Sequence, residues 1–245
     1  MTAQPSAYHW KGRCGPFDLE LSEHTFPPSS LSQILGDALE LEGGERVIDA
    51  GCGSGVLGII AALLGAGEVI GVDKAPDTVA VAGANAERLG VADRMRFYQG
   101  DLFAPLPADA TADLIIGDVS GVADELARVS GWFPDGRGGG PRGAELPIRL
   151  VHEAPDWLRP GGRLLLPTGT IQDERSLLAA AEEVFPAIEQ RAERRFPLPQ
   201  KLAEAPEVRR LMDEGVIELE QKGSRLLWYG RVWECALEPV PSRSS

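Results

Sequence analysis

Five short β-prone runs alternate with helix-like segments along most of this chain, and that alternation restricts the fold more than any other feature. The runs are residues 46–50 (RVIDA), 68–73 (EVIGVD), 94–99 (RMRFYQ), 112–118 (ADLIIGD) and 163–168 (RLLLPT), each bounded by Gly, Pro or Asp. Between them, residues 54–65 are rich in Ala, Leu and Ile, and residues 75–90 carry Pro76 in a first turn and stop at Gly90. Residues 143–158 and 172–185 read as further helices, and the tail from 187 to 237 becomes strand-like again. A strand followed by a helix crosses over to reach the next parallel strand, so the pattern predicts a mostly parallel sheet covered on both faces. No internal repeat is visible, and 245 residues with 43% hydrophobic content suffice for one or one-and-a-half domains.

The first strand runs directly into a glycine-dense turn, Val47-Ile-Asp-Ala-Gly-Cys-Gly-Ser-Gly55. Such a turn lets a ligand lie against bare backbone at the N-terminus of the following helix, where unpaired N–H groups face it. The spacing of two acids beyond it points to a nucleoside-bearing ligand. Asp73 ends the second strand, where a carboxylate can accept from both ribose hydroxyls, and Asp101 stands just past the third, in reach of an adenine amino group. Gly-x-Gly-x-Gly also serves NAD-binding proteins and purely structural turns, so the motif alone leaves a nicotinamide-dependent oxidoreductase and a non-catalytic binding protein open.

Taken together, Asp49-Ala-Gly-Cys-Gly-Ser-Gly55, Asp73, Gly100-Asp101 and Gly117-Asp118 resemble the successive motifs of class I S-adenosylmethionine-dependent methyltransferases over roughly residues 45–170. An acidic residue opens the glycine motif, whereas the NAD fingerprint usually starts on glycine. The resemblance implies a Rossmann-like, doubly wound α/β fold with seven strands, one of them antiparallel, behind a short N-terminal extension. It implies S-adenosyl-L-methionine as cofactor, with Asp49, Gly51, Gly53, Gly55, Asp73, Lys74, Asp101, Leu102 and Asp118 around it. It divides the chain into an extension (1–45, a hairpin plus a helix over the cofactor), a catalytic domain (46–237, with insertions at about 131–143 and 199–222) and a disordered tail (238–245). Within the class, Phe26-Pro-Pro-Ser-Ser30 and Gly138-Gly-Gly-Pro-Arg-Gly-Ala-Glu-Leu146 are similar to the release-factor glutamine methyltransferases and their small-domain relatives. Where that group has Asn-Pro-Pro-Tyr to grip a planar amide or exocyclic amine, this chain has Gly117-Asp-Val-Ser-Gly121, which argues against an amide or base nitrogen gripped by that route.

Methyl transfer from a sulfonium depends mainly on holding the nucleophile and methyl in line within a dry pocket. Asp118, expected at the carboxyl end of strand four, can orient a hydroxyl or ammonium or take its proton; capping the following turn is an equally good role for it. Ser120 is a candidate of the same kind. Among the histidines, His24 ranks above His9 and His152 because its segment is expected to fold over the cofactor. Tyr8 and Trp10 can stack on a substrate or simply pack, and Trp228, Tyr229 and Trp233 read as packing. The glycine-rich run 132–143 reads as a hinge whose Arg137 and Arg142 can meet an anion, or as a plain surface loop. The insertion 199–222 suggests a lid or a dimer contact, or else a solvated decoration.

A net charge of -13 disfavours a long phosphate-tracking surface, leaving only a local patch at Arg191, Arg194 and Arg195. The expected acceptor is an N, O or C nucleophile of a small metabolite or a peptide, because only about 45 residues precede the first strand and leave no long separate recognition domain there, with a protein side chain as the alternative and, on charge, nucleic acid not expected. A homodimer stays open. Three scattered cysteines suggest no disulfide framework or metal site, and no run reaches membrane-spanning length, so a reducing, cytoplasmic setting is expected.

Overall fold

The computed structural model describes residues 6–75, 77–133 and 138–238. Strands β1 (Ser6–Trp10) and β2 (Phe17–Leu21) form an antiparallel hairpin, followed by α1 (Ser30–Ala38). The alternating core then runs β3 (Arg46–Ala50), α2 (Val56–Leu63), β4 (Glu68–Asp73), α3 (Thr78–Arg88), β5 (Met95–Gln99) and β6 (Ala112–Ile116). It continues through α4 (Asp124–Ser130), α5 (Glu145–Glu153), β7 (Leu158–Gly169), α6 (Glu174–Val184) and β8 (Ala187–Pro197). Two short helices, α7 (Gln200–Ala203) and α8 (Pro206–Asp213), precede β9 (Glu220–Lys222) and β10 (Arg225–Ala236).

The main sheet has the order β5-β4-β3-β6-β7-β10-β8, with β9 added against β10. The pairs β5/β4, β4/β3, β3/β6 and β6/β7 are parallel, and β10 runs antiparallel to both β7 and β8. This is the expected seven-strand path with one reversed strand, extended by a three-residue eighth strand. The order reverses between β3 and β6, and in open α/β sheets ligands bind in the crevice at that switch point, beyond the carboxyl ends of the strands.

Strand alternation distributes side chains between the two faces. In β3, Ile48 and Ala50 join the cluster under α5 and α6, with Leu150, Leu177 and Phe185. Val47 joins the opposite cluster with Ile34, Leu57 and Ile60, and the period of two puts Asp49 on that same α2 side. The hairpin seals this second cluster: Trp10 is fully buried and its indole N–H donates to the Arg13 carbonyl at 3.0 Å. Trp10 therefore packs, and His9 pairs with Asp18 across the hairpin at 2.7 Å. Asn85 of α3 ties the hairpin down. Its amide donates to the carbonyls of Glu20 and Ser54 and accepts from the Glu20 N–H, joining β2 to the glycine turn.

A third cluster joins Leu126 and Ala127 of α4 to Leu202, Val208 and Leu211 of α7 and α8 and to Trp228 of β10. The insertion 199–222 thus packs on its own chain over the carboxyl ends of β6 and β7 and the amino end of β10. Helix α4 escapes a period-based reading because it is one short, charged stretch that buries only Leu126 and Ala127. Trp228 packs against Phe196 in a tilted ring pair at 4.8 Å and Trp233 donates to Thr168 at 3.0 Å, in keeping with packing roles.

Candidate functional site

Past β3 the chain turns through Gly51, Gly53 and Gly55 at φ +77°, +51° and +81°, a region that disfavours any side chain. The Gly51 and Cys52 N–H groups both donate to the Val72 carbonyl, at 2.8 and 3.0 Å, fixing the turn to the end of β4. A Cβ on Gly51 would lie 2.9 Å from the Asp118 carbonyl oxygen, so the loop after β6 rests on the turn. Gly55, the N-cap of α2, offers no side-chain cap, and of the first-turn N–H groups that of Gly58 is taken by a side chain, which leaves those of Val56 and Leu57 to face a ligand.

Two carboxylates organise this turn. Asp49 lies beneath it, buried, with Oδ2 accepting from the Gly58 N–H at 2.9 Å and Oδ1 without a partner. Burial pushes its pKa up to about 7 against the opposing pull of the Gly58 hydrogen bond, with Asp118 and Asp73 adding repulsion. Asp73 ends β4 and accepts from Gly53 N–H at 3.0 Å and Ala75 N–H at 2.9 Å. An unpaired buried carboxylate oxygen, bare backbone and a helix start whose N-cap is a glycine, with Asp73 beside them, fit the expected sulfonium nucleoside. Lys74 is exposed next to Asp73.

Residues 22–32 form a strap over the turn. The Phe26 carbonyl oxygen comes within 4.0 Å of where a Gly53 Cβ would be, and the Phe26 ring stacks on Phe133 at 4.8 Å. Ser29 caps α1 through a capping box with Ser32. Ser32 Oγ also donates to Asp118 Oδ2 at 2.6 Å, so the strap meets the loop after β6. Burial holds the Asp118 carboxyl above its usual range, with the Ser32 bond partly opposing. His24 is exposed and bonded to Asp77 Oδ2 at 3.0 Å, and that contact raises its pKa. The strap does cover the turn, yet the only partner of the His24 ring among the described residues is Asp77, at the entry to α3. A latch between strap and α3 suits His24 better than the expected role of base.

Asp101 follows β5 as expected, but its carboxylate is held by Arg149 of α5 at 2.6 Å. Leu102 is buried and adopts φ +46°, rare for a branched side chain, turning the chain sharply beneath the expected adenine position. Ser120 lies in the loop after Asp118, with its carbonyl against Gly139.

The glycine-rich segment is no hinge over its described part. Gly139 N–H donates to the Val122 carbonyl at 2.8 Å, Asp124 N–H to Gly140 at 2.9 Å, and a Cβ at Gly138 would overlap the Val122 carbonyl. Its glycines serve close backbone packing. Arg142 is taken up by Asp173 at 2.7 Å, whereas Arg137 and the rest of 134–137 lie outside the described residues, as do Pro76 and 239–245 of the expected tail. The arginine patch is matched by acids: Arg191 pairs with Glu40 and Glu189, Arg194 with Asp37. His152 is exposed on α5. Sequence reading missed Ser32, Asn85, Asp77 and Gln172, whose roles depend on contacts made far along the chain. Among the described residues there is no cluster fit for a metal, and no helix is long and apolar enough to cross a membrane.

Residues 41–201 match the model of a methyltransferase domain. The ribosomal protein L11 methyltransferase of Aeromonas hydrophila is 43% identical over 104 residues, 42% of this chain and 34% of that protein. That of Pectobacterium atrosepticum is 39% identical over 115 residues, 46% of this chain and 38% of that protein. The match thus spans little more than a third of these relatives' length. Among solved structures, a ribosomal protein L11 methylase from Lactobacillus delbrueckii subsp. bulgaricus has a TM-score of 0.51 at 17% identity, covering 84% of this chain and 77% of that one. A Thermus thermophilus 16S rRNA guanine N2 methyltransferase, solved with AdoMet and guanosine, has a TM-score of 0.57 at 18% identity, covering 93% and 50%. Both confirm the fold. These relatives are named for macromolecular substrates, a ribosomal protein and an rRNA, which overturns the expectation of a small-molecule acceptor with nucleic acid set aside. Of that expectation, the exclusion of nucleic acid leaned on net charge, which says little about one cavity.

Proposed function

We infer what this enzyme modifies from the fact that the chain belongs to the methyltransferase domain family, as an S-adenosylmethionine-dependent methyltransferase of the class I fold. That membership removes the oxidoreductase and the non-catalytic binder as readings. Our proposal is that the acceptor is an amine nitrogen of a protein. One observation carries it: a half-buried acid, Asp118, at the carboxyl end of β6, hydrogen-bonded by Ser32 and backed against the glycine turn.

Bound S-adenosylmethionine supplies an activated methyl group and needs no further activation by the protein. The acceptor does need preparation, because an amine arrives protonated near neutral pH and an ammonium has no lone pair. A carboxylate held above its usual pKa is a better proton acceptor than an ordinary one, and its charge attracts the ammonium first. The Asp118 carboxylate pairs with the ammonium and draws off its proton, freeing the nitrogen lone pair for in-line attack. An amide nitrogen offers no such cation, and the Asn that would grip it is absent at position 118. The strap with Phe26 covers the glycine turn and helps exclude water. In this proposal Gly51, Gly53, Gly55, Asp49 and Asp73 hold the cofactor, Asp101 and Leu102 border its adenine, and Lys74 flanks the ribose.

The protein class of acceptor draws support from the two curated relatives described above, both named for ribosomal protein L11. The test is transfer of label from methyl-labelled S-adenosylmethionine to purified L11, with wild type and Asp118→Asn in parallel. Label in L11 from wild type, and a loss of about 10²–10⁴-fold in kcat for the variant, is expected of a lost general base. Labelled rRNA with unlabelled protein, or an unaffected variant, would refute the proposal.

A further inference from the structure

Gln172 is 2% exposed, yet its Nε2 has no hydrogen-bond partner. An amide donor buried in that way costs about 1–3 kcal/mol, and such groups are rare enough that each calls for a reason. Gln172 follows β7 and lines a crevice of about 290 Å³ with Thr170, Asp173, the first turn of α6 and the loop Gly215–Glu218. Two glycines make room for it: a Cβ at Gly121 would overlap its Oε1, and one at Gly143 would come within 3.1 Å of its Cβ. Gly121 belongs to the loop that begins with Asp118, so the segment without the amide-gripping Asn is cut back to admit an amide from the neighbouring strand.

The charges around the crevice are matched among themselves. Asp173 pairs with Arg142, Glu174 with Arg231 and Glu218 with Arg175. The unmet valence is therefore one neutral N–H donor, which a carbonyl oxygen can satisfy without bringing a further charge into the crevice. We propose that Gln172 is an acceptor-recognition residue that donates to a peptide carbonyl oxygen flanking the methylated amine, with the crevice taking the adjoining chain. This rests on the protein-amine reading above and deepens it, since it makes the enzyme recognise a polypeptide rather than a bare amine.

The test is nuclear magnetic resonance of the ¹⁵N-labelled protein saturated with S-adenosylhomocysteine. Two probes are titrated: N-acetyl-lysine N-methylamide, and n-pentylamine, which has the amine without the carbonyls. The side-chain NH₂ signals of Gln172, identified by their loss in Gln172→Met, should shift with the first probe only. Gln172→Met should bind the first probe about tenfold more weakly, the value of one hydrogen bond. Its melting temperature should hold or rise, because an unpaired buried group is removed; Gln172→Leu, which also has no donor and no ionisable group, should reproduce the affinity loss. Equal shifts with both probes, no shift with either, unchanged affinity in the variants, or a melting temperature lowered by several degrees in Gln172→Met would overturn the assignment. The expected shifts in an enzyme that leaves L11 unlabelled would uphold the Gln172 site while refuting the choice of L11.

Discussion

Replacing Asp49 by Asn should make this protein more stable in alkali and remove most of one step in its pH dependence. Asp49 is fully enclosed and its pKa rises from 3.8 to about 7. Between those two values the native state keeps a proton that the unfolded chain has released, so stability falls as pH rises. The penalty is absent below the unfolded value and complete above the folded one. At about 1.4 kcal/mol per unit, a span of about three units puts the full penalty near 4 kcal/mol, of which about 2.5 kcal/mol accrues between pH 5 and pH 8. An Asn side chain keeps the shape and an oxygen for the Gly58 N–H but carries no charge. Urea unfolding of wild type and Asp49→Asn at the two pH values gives the double difference, with titrations elsewhere in the chain cancelling. The variant should gain about 2.5 kcal/mol on wild type on going from pH 5 to pH 8. A double difference under about 0.5 kcal/mol would mean that Asp49 ionises like an exposed carboxyl. The assumption that the turn encloses it would then be wrong.

Asp73→Ala removes two charge-assisted hydrogen bonds proposed to the ribose, together about 3 kcal/mol, and calorimetry should find S-adenosylhomocysteine bound about a hundredfold more weakly; unchanged affinity would displace the ribose from β4. Ser32→Ala withdraws the bond that stabilises the Asp118 carboxylate, so the Asp118 pKa rises further and the acid limb of kcat/KM moves to higher pH; a stationary limb would separate Asp118 from proton removal. Asn85→Leu leaves the backbone groups of Glu20 and Ser54 unpaired at the hairpin joint, and urea unfolding should report a loss of about 3 kcal/mol, whereas a loss below about 1 kcal/mol would mean the hairpin holds without it.

Much of the core was legible because its signals are local. The strands β3 to β6 and the glycines at 51, 53 and 55 follow from runs of a few residues, and Asp73 sits at a fixed offset within one β–α–β unit. What escaped depends on chain that returns from afar. Ser32 meets Asp118 across 86 positions and Arg149 meets Asp101 across 48, and neither pair has a sequence signature. Gly138 to Gly143 misled in a more instructive way. Composition suggests a flexible hinge, but Gly138 and Gly143 lie where the backbone of Val122 and Ala123 comes too close for any Cβ, and Gly139 where the Ser120 carbonyl does. His24 shows what position alone leaves out: the strap crosses the glycine turn, and the imidazole is bonded to Asp77 at its rim. Nucleic acid was set aside on total charge, a whole-chain quantity that carries little information on one crevice.

The most direct measurement of the central claim is fragmentation mass spectrometry of L11 after incubation with the enzyme and S-adenosylmethionine, locating the atom that carries the new methyl. The account predicts methyl groups on amine nitrogens, lysine side chains or the chain's α-amine, and their disappearance with Asp118→Asn. Methyl found on a glutamine amide, a carboxylate or a hydroxyl would contradict it, because none of these presents the ammonium that Asp118 is proposed to receive.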